Sequence, residues 1–300
     1  GALKDMVALP FVDRLGQYKH AEWPGKIANE EGLKHAGNSE AEAWKAAPVL
    51  PGRDRFGGWA GGPKREATGW FRTELVDGKW WLITPDGSLF FSAGLDCVGT
   101  WERTWVSGRD GWFDWLPARD DATYGKLFSE QKGAHSMAEP IGGQGTTFSF
   151  YCANLIRKYG PEWQKRWRES AYARLKHWGF NTVANWSQGD VLSNSPIPYV
   201  VSGGIWGDVR EIEGAKGYWG RMRDVYSDTF VAAVDRSMAS VTEAHRDNPL
   251  CIGYFIDNEL SWETVRKGTL ASPVDQPCRM AFVADLKAKY GALEALNQAW

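Results

Sequence analysis

Basic runs, long apolar runs, paired cysteines and clustered histidines are all missing from this 300-residue sequence. No stretch reaches the roughly 18 apolar residues that a bilayer-spanning helix needs, so membrane insertion is not expected. Lys plus Arg number 35 against 37 Asp plus Glu, for a net charge of −2, which removes any bulk pull toward nucleic acid or an anionic membrane. The four cysteines, Cys97, Cys152, Cys251 and Cys278, form no Cys-x-x-Cys pair, which argues against a zinc ribbon or a thioredoxin-like centre. Cys97 and Cys251 stand in apolar, strand-like runs and are expected as buried free thiols. Pairing in an exported protein is left open. The five histidines make no His-Glu-x-x-His motif, and no His/Asp set has ligand spacing, so neither a metal nor another cofactor is expected. His135 reads as a solvated loop histidine. Gly142-Gly143-Gln144-Gly145 lacks the Lys-Ser/Thr of a phosphate loop and reads as a flexible loop.

What is present fits a globular protein with a substantial core: 43% hydrophobic and 24% charged residues. Tryptophan is the outlier, at 18 residues. Indoles pack cores, and roughly half are expected to do so. Indoles also stack on the apolar faces of sugar rings. Trp101, Trp105, Trp112, Trp115, Trp186, Trp206, Trp219 and Trp262 fall in loop-like contexts, which favours a carbohydrate cleft.

Residues 1–68 are broken by Pro-Gly and Gly-Gly clusters and read as a loop-rich N-terminal extension or the remnant of an accessory domain, with a helix near Ser39–Ala46. Residues 69–300 follow as the main domain. Trp70–Val76, Asp77-Gly78 and Lys79–Thr84 predict a β-hairpin. Leu89–Val98 is nearly continuous in apolarity and is expected as one buried parallel strand with Asp96 at its mouth. Residues 99–160 read as a long functional loop. Pro161–Trp178 predicts a helix with Trp163, Trp167, Ala171, Leu175 and Trp178 on one face, stopped by Gly179. Strands are expected over Phe180–Ala184 and Ile197–Ser202. A helix from Ser227 or Asp228 to His245 follows, with Phe230, Val234, Met238, Val241 and His245 as its stripe. Helices near Gln276–Tyr290 and Ala292–Trp300 complete the chain. Strands alternating with helices imply parallel βαβ units.

Chemistry concentrates in Cys251-Ile252-Gly253-Tyr254-Phe255-Ile256-Asp257-Asn258-Glu259-Leu260-Ser261-Trp262. A buried strand, Ile252–Ile256, ends in a carboxylate, an amide and, just beyond, an indole. The C-terminal mouths of parallel strands are where (β/α)8 enzymes keep catalytic groups. A carboxyl there suits protonation of a sugar leaving group. Asn185 and Trp186 end the second expected parallel strand, and Trp206 and Asp208 follow the third. With Asp96, Asn258 and Trp262 they are candidate substrate contacts. Asp257 is expected to brace the strand end rather than to react.

Three stretches resemble a known group. Trp70-Phe71-Arg72 through Pro85-Asp86-Gly87 and Phe90-Phe91-Ser92-Ala93-Gly94 look like the leading hairpin and first strand of glycoside hydrolase family 50 β-agarases. Gly253 through Trp262 resembles the acid/base strand of that family, and the related family 42 β-galactosidases carry a similar Asp-Asn-Glu. Leu296-Asn297-Gln298-Ala299-Trp300 is similar to a later helix in both. The resemblance covers roughly residues 69–300. It implies a clan A (β/α)8 TIM barrel, with Glu259 as general acid/base and Asn258 binding the sugar 2-hydroxyl. The nucleophile would be a Glu on strand seven, which is not in this sequence.

Four barrel strands are counted where a closed barrel has eight. The expectation is therefore the N-terminal portion of a (β/α)8 TIM barrel in residues 69–300, after the extension and the hairpin. The expected function is retaining hydrolysis of β-galactosidic bonds in agarose or a related galactan. A β-galactosidase or other clan A glycosidase on short oligosaccharides is one alternative. A non-catalytic carbohydrate-binding protein is another. The expected partner is a polysaccharide or oligosaccharide, with homo-oligomer formation left open. The opening Gly1-Ala2-Leu3-Lys4 is no signal peptide and fits a mature or recombinant start; a secreted or periplasmic location is expected.

Overall fold

The computed structural model describes residues 8–46, 50–132 and 142–300. His135 lies outside the described residues. In chain order, α1 (Glu30–Ala46) precedes strands β1 (Arg72–Val76), β2 (Lys79–Ile83), β3 (Leu89–Phe90) and β4 (Gly94–Leu95). Strands β5 (Thr104–Trp105), β6 (Phe128–Gln131) and β7 (Gly145–Phe148) lead to helices α2 (Phe150–Tyr159) and α3 (Trp163–His177). Then come β8 (Thr182–Val183), α4 (Gly189–Ser193), β9 (Tyr199–Gly203), α5 (Asp228–Thr242) and β10 (Cys251–Ile256). Helices α6 (Val265–Ala271), α7 (Pro277–Tyr290) and α8 (Leu293–Ala299) follow.

The chain divides into two compact units. One comprises Gly1–Arg53 and Val98–Asn181, the other Asp54–Cys97 and Thr182–Trp300. Within the second unit, residues 54–69 are bonded to the residues around the hairpin: Trp59 N–H donates to the Leu89 carbonyl (2.7 Å), Arg65 N–H to Gly87 (2.8 Å) and Gly69 N–H to Pro85 (3.1 Å).

In the first unit, the described part of the expected long loop over 99–160 carries secondary structure of its own. An antiparallel sheet of order β5-β7-β6 and helix α2 form within it. Phe148 is fully buried and meets Phe128, Trp115 and Phe150 ring to ring. Trp105 and Trp115 are therefore built into a sheet and an aromatic core rather than into open loop. Helix α3 buries Trp163, Trp167, Ala171 and Leu175, the predicted stripe. Trp178 departs from it: it is the helix's C-cap and is 56% exposed. Gly179 at φ +85° then lets the Phe180 and Gly179 N–H groups return to the carbonyls of Leu175 and Lys176, closing the helix end.

In the second unit, Asp77 (φ 49°) and Gly78 (φ 75°) make the tight turn between β1 and β2, the left-handed pair that matches strand twist. The expected single strand over Leu89–Val98 is two. Leu89–Phe90 pairs antiparallel with β2, whereas Gly94–Leu95 pairs parallel with β8. The chain leaves one sheet and joins another across residues 91–93, and Phe91 there is exposed. Cys97, expected to be buried, is also exposed, in a left-handed turn beyond β4.

The four parallel strands lie side by side in chain order, β4-β8-β9-β10. Consecutive strands that pair in parallel are the signature of βα units, so the α/β expectation holds. The middle is dry: Val183 and Tyr199 are fully buried, and the Tyr199 hydroxyl lies 3.0 Å from Nδ1 of His245. Burial, with Cys251 and Tyr254 nearby, pushes the Tyr199 phenol up to about 12. Strand β10, expected to be buried, is only half-buried, and Phe255 and Ile256 are exposed. The cause is position: among the described residues β10 pairs with β9 alone.

Candidate active site

Parallel pairing brings every C-terminal strand end of this sheet to one edge. Asp96 follows β4, Asn185 and Trp186 follow β8, Trp206 follows β9, and Asp257, Asn258 and Glu259 follow β10. Hydrogen bonds join each end to the next. The Asp96 Oδ1 accepts from the Asn185 N–H (2.8 Å), and the Cys97 N–H donates to the Asn185 carbonyl (2.9 Å). The Ser202 hydroxyl donates to Oδ1 of Asn185 and accepts from the Trp186 N–H. The Asp257 N–H donates to the Gly203 carbonyl (2.8 Å), and its Oδ1 accepts from the Ile205 N–H (3.2 Å). Trp206 is anchored from behind, its N–H reaching the Ser237 hydroxyl of α5 at 3.0 Å.

The same edge concentrates left-handed backbone. Among the described residues, non-glycine positive φ occurs at Asp77 in the hairpin turn and at Cys97 (57°), Trp186 (54°), Asp257 (59°) and Glu259 (48°). The last four all lie on this edge. Such conformations persist where surrounding contacts over-determine them, and they gather at functional sites. Here the hydrogen-bonded rim supplies those contacts.

The predicted residues divide by environment. Asn185 is buried, with its carbonyl oxygen occupied by Ser202, so it braces the rim. Asp96 is exposed but spends Oδ1 on the Asn185 backbone. Asp208 is exposed. Asn258 and Glu259 are exposed at the tip of the β10 turn, free to meet a solute. Trp186, Trp206 and Trp262 keep large indole surfaces in solvent. Trp262 also lines a cavity of about 490 Å³ with Met222, Tyr226 and Val265, and with Arg223 and Arg266 at its polar side. Among the described residues no group of three His, Cys, Asp or Glu side chains is placed to hold a metal ion.

Sequence reasoning missed Ser202, Ser237 and Arg223. Ser202 carried a signal, a hydroxyl closing an apolar run. Ser237 interrupts the α5 stripe. Arg223, which faces Asp257 at 3.8 Å, had none.

No family model matches the chain. It is 35% identical to Beta-agarase B of Vibrio sp. (strain JT0107) over 322 aligned positions, covering 97% of this chain and 33% of that protein. It is 29% identical to Beta-agarase A of the same organism, covering 85% of this chain and 26% of that one. Among solved structures, PfGH50B superposes with a TM-score of 0.88 at 31% identity, over 97% of this chain and 46% of that chain. Over 97% of its length the chain is similar to β-agarases of glycoside hydrolase family 50. An exo-β-agarase (TM-score 0.87) and the agarase AgWH50C (TM-score 0.85) match equally broadly, each at 31% identity over 97% of this chain. The β-agarase-like chain spans about a third or less of the curated relatives' length and just under half of the solved ones. The likeness runs through the loop-rich N-terminal residues as well as the parallel sheet.

Proposed function

We propose that the protein containing this chain is a retaining glycoside hydrolase that cleaves β-galactosidic bonds in agarose or a related galactan. Glu259 is its general acid/base. It protonates the glycosidic oxygen as the bond breaks and later activates water, the double role of one carboxyl in retaining enzymes. Asn258 donates to the sugar 2-hydroxyl. Trp186, Trp206 and Trp262 offer apolar faces to sugar rings. Asp96 and Asn185 hold the rim on which these groups stand. The nucleophile is a second carboxylate, about 5–5.5 Å from Glu259, supplied by residues outside this chain. In this reading β4, β8, β9 and β10 are the first four strands of a (β/α)8 barrel, residues 69–300 are its first half and residues 1–68 are an extension. The substrate is a polymer too large to cross a membrane, which favours a secreted or periplasmic enzyme.

The observation that carries the reading is the strained, hydrogen-bonded C-terminal edge with an exposed Asn-Glu at its tip. The test is incubation of the full-length protein with agarose and neoagaro-oligosaccharides, with products sized by mass spectrometry. Even-numbered neoagaro-oligomers support the proposal. Intact, folded protein that binds these sugars without cleaving them would contradict it and favour the binding-protein alternative.

A further inference from the structure

Two residues given no chemical role above hold the turn that carries Glu259. Within three residues, Asp257 and Glu259 both adopt left-handed backbone, at φ 59° and 48°. Left-handed backbone strains a non-glycine residue and persists only where its surroundings enforce it. The enforcement is centred on the Asp257 carboxylate, which is only 15% exposed. Oδ1 accepts from the Ile205 N–H, and Oδ2 lies 3.8 Å from Nη1 of Arg223. Gly204 lets the carboxylate in: a Cβ there would stand 3.0 Å from Oδ1. With both oxygens engaged, Asp257 is a brace and not a proton donor.

Arg223 is itself anchored. It forms an antiparallel bridge with Glu211. Its neighbour Asp224 is fully buried and accepts from the Cys278 N–H at the start of α7 (3.0 Å) and from the Gln276 side chain. The guanidinium therefore projects from a ribbon fixed to α7. We propose that Asp257 and Arg223 are a positioning pair that fixes the Asn258–Glu259 turn and so aims the Glu259 proton at the leaving oxygen.

The proposal rests on the reading of Glu259 as the acid, and the test separates the two. A misaimed acid slows departure of a poor leaving group but matters little for one that leaves without a proton. In the full-length protein, kcat/KM is measured on a neoagaro-oligosaccharide and on the 2,4-dinitrophenyl β-glycoside of neoagarobiose. For Asp257→Asn and Arg223→Met the expected result is a drop of about 100-fold on the oligosaccharide, with KM within about twofold. On the activated glycoside the drop is less than about threefold, because protonation is not needed there. Arg223→Lys restores part of the loss. Equal losses on both substrates, or no loss, overturn the positioning role. Arg223 is 32% exposed, so Arg223→Met carries the test where Asp257→Asn does not fold. Glu259→Ala is the control. If it lacks this leaving-group dependence, the acid assignment fails; if it shows it and the pair variants do not, only the pair fails.

Discussion

Asp224→Asn tests the frame beneath the site. The Asp224 side chain is fully buried and accepts three hydrogen bonds: the Tyr226 N–H on Oδ1 (3.0 Å), and the Cys278 N–H (3.0 Å) and Gln276 Nε2 (2.5 Å) on Oδ2. Asparagine keeps the first and turns an NH₂ toward the other two donors. Each buried donor left without an acceptor costs about 1–3 kcal/mol, so a central expectation is about 4 kcal/mol. For a unit of this size that lowers Tm by about 8–16 °C, at roughly 2–4 °C per kcal/mol. The pH dependence has a definite sign. Burial works against the Asp224 carboxylate, but the bonds from Gln276, Cys278 and Tyr226 outweigh it and hold its pKa below the ordinary aspartate value. The unfolded chain therefore takes up this proton first as pH falls. The stabilisation is complete above about pH 4, the unfolded value, and is lost as pH drops through the folded one. Thermal unfolding by circular dichroism at pH 7, then at steps down to pH 3, gives the wild-type-to-variant gap. The gap is expected to be full at pH 7 and to narrow below about pH 4. A Tm change under about 2 °C would refute the reasoning, because two unmet buried donors are not that cheap.

Two further outcomes follow from the sheet. A Cβ at Gly94 would collide with the Thr182 backbone carbonyl across the β4–β8 pair, so Gly94→Ala should destabilise by about 1–3 kcal/mol, read as a lower denaturant midpoint. Burial lowers the His245 pKa, so the folded protein resists protonation that the unfolded chain accepts below about pH 6.5; stability falls with pH through that window. His245→Gln should flatten the slope of Tm between pH 7.5 and 5.5, and an unchanged slope would remove His245 as its source.

Local chemistry made much of this legible. Asp77-Gly78 specified its turn, Gly179 its helix stop, and the α3 stripe its buried face, because each is decided by neighbours a few residues away. The four parallel strands were legible as apolar runs. Less legible was anything set by distant pairing. Leu89–Val98 looks uniform in sequence, but Leu89–Phe90 answers to β2 of the hairpin and Gly94–Leu95 to β8, some ninety residues on. The polar, Gly-rich stretch over 99–160 hid a sheet whose strands are two to four residues long, too short to show a period. At the site, strand-end residues could be named because a carboxylate or indole after an apolar run stands out. The Arg223 pairing could not, since it depends on where a loop from β9 returns.

The most direct test of the central claim is Glu259→Ala in the full-length protein, assayed with an activated aryl β-glycoside of neoagarobiose with and without sodium azide, the product being followed by proton NMR. The account predicts slow turnover without azide, recovery with it, and a glycosyl azide of retained β configuration, since azide attacks the glycosyl-enzyme that the missing base can no longer hydrolyse. Wild-type turnover in the variant, or an α-glycosyl azide, would contradict it.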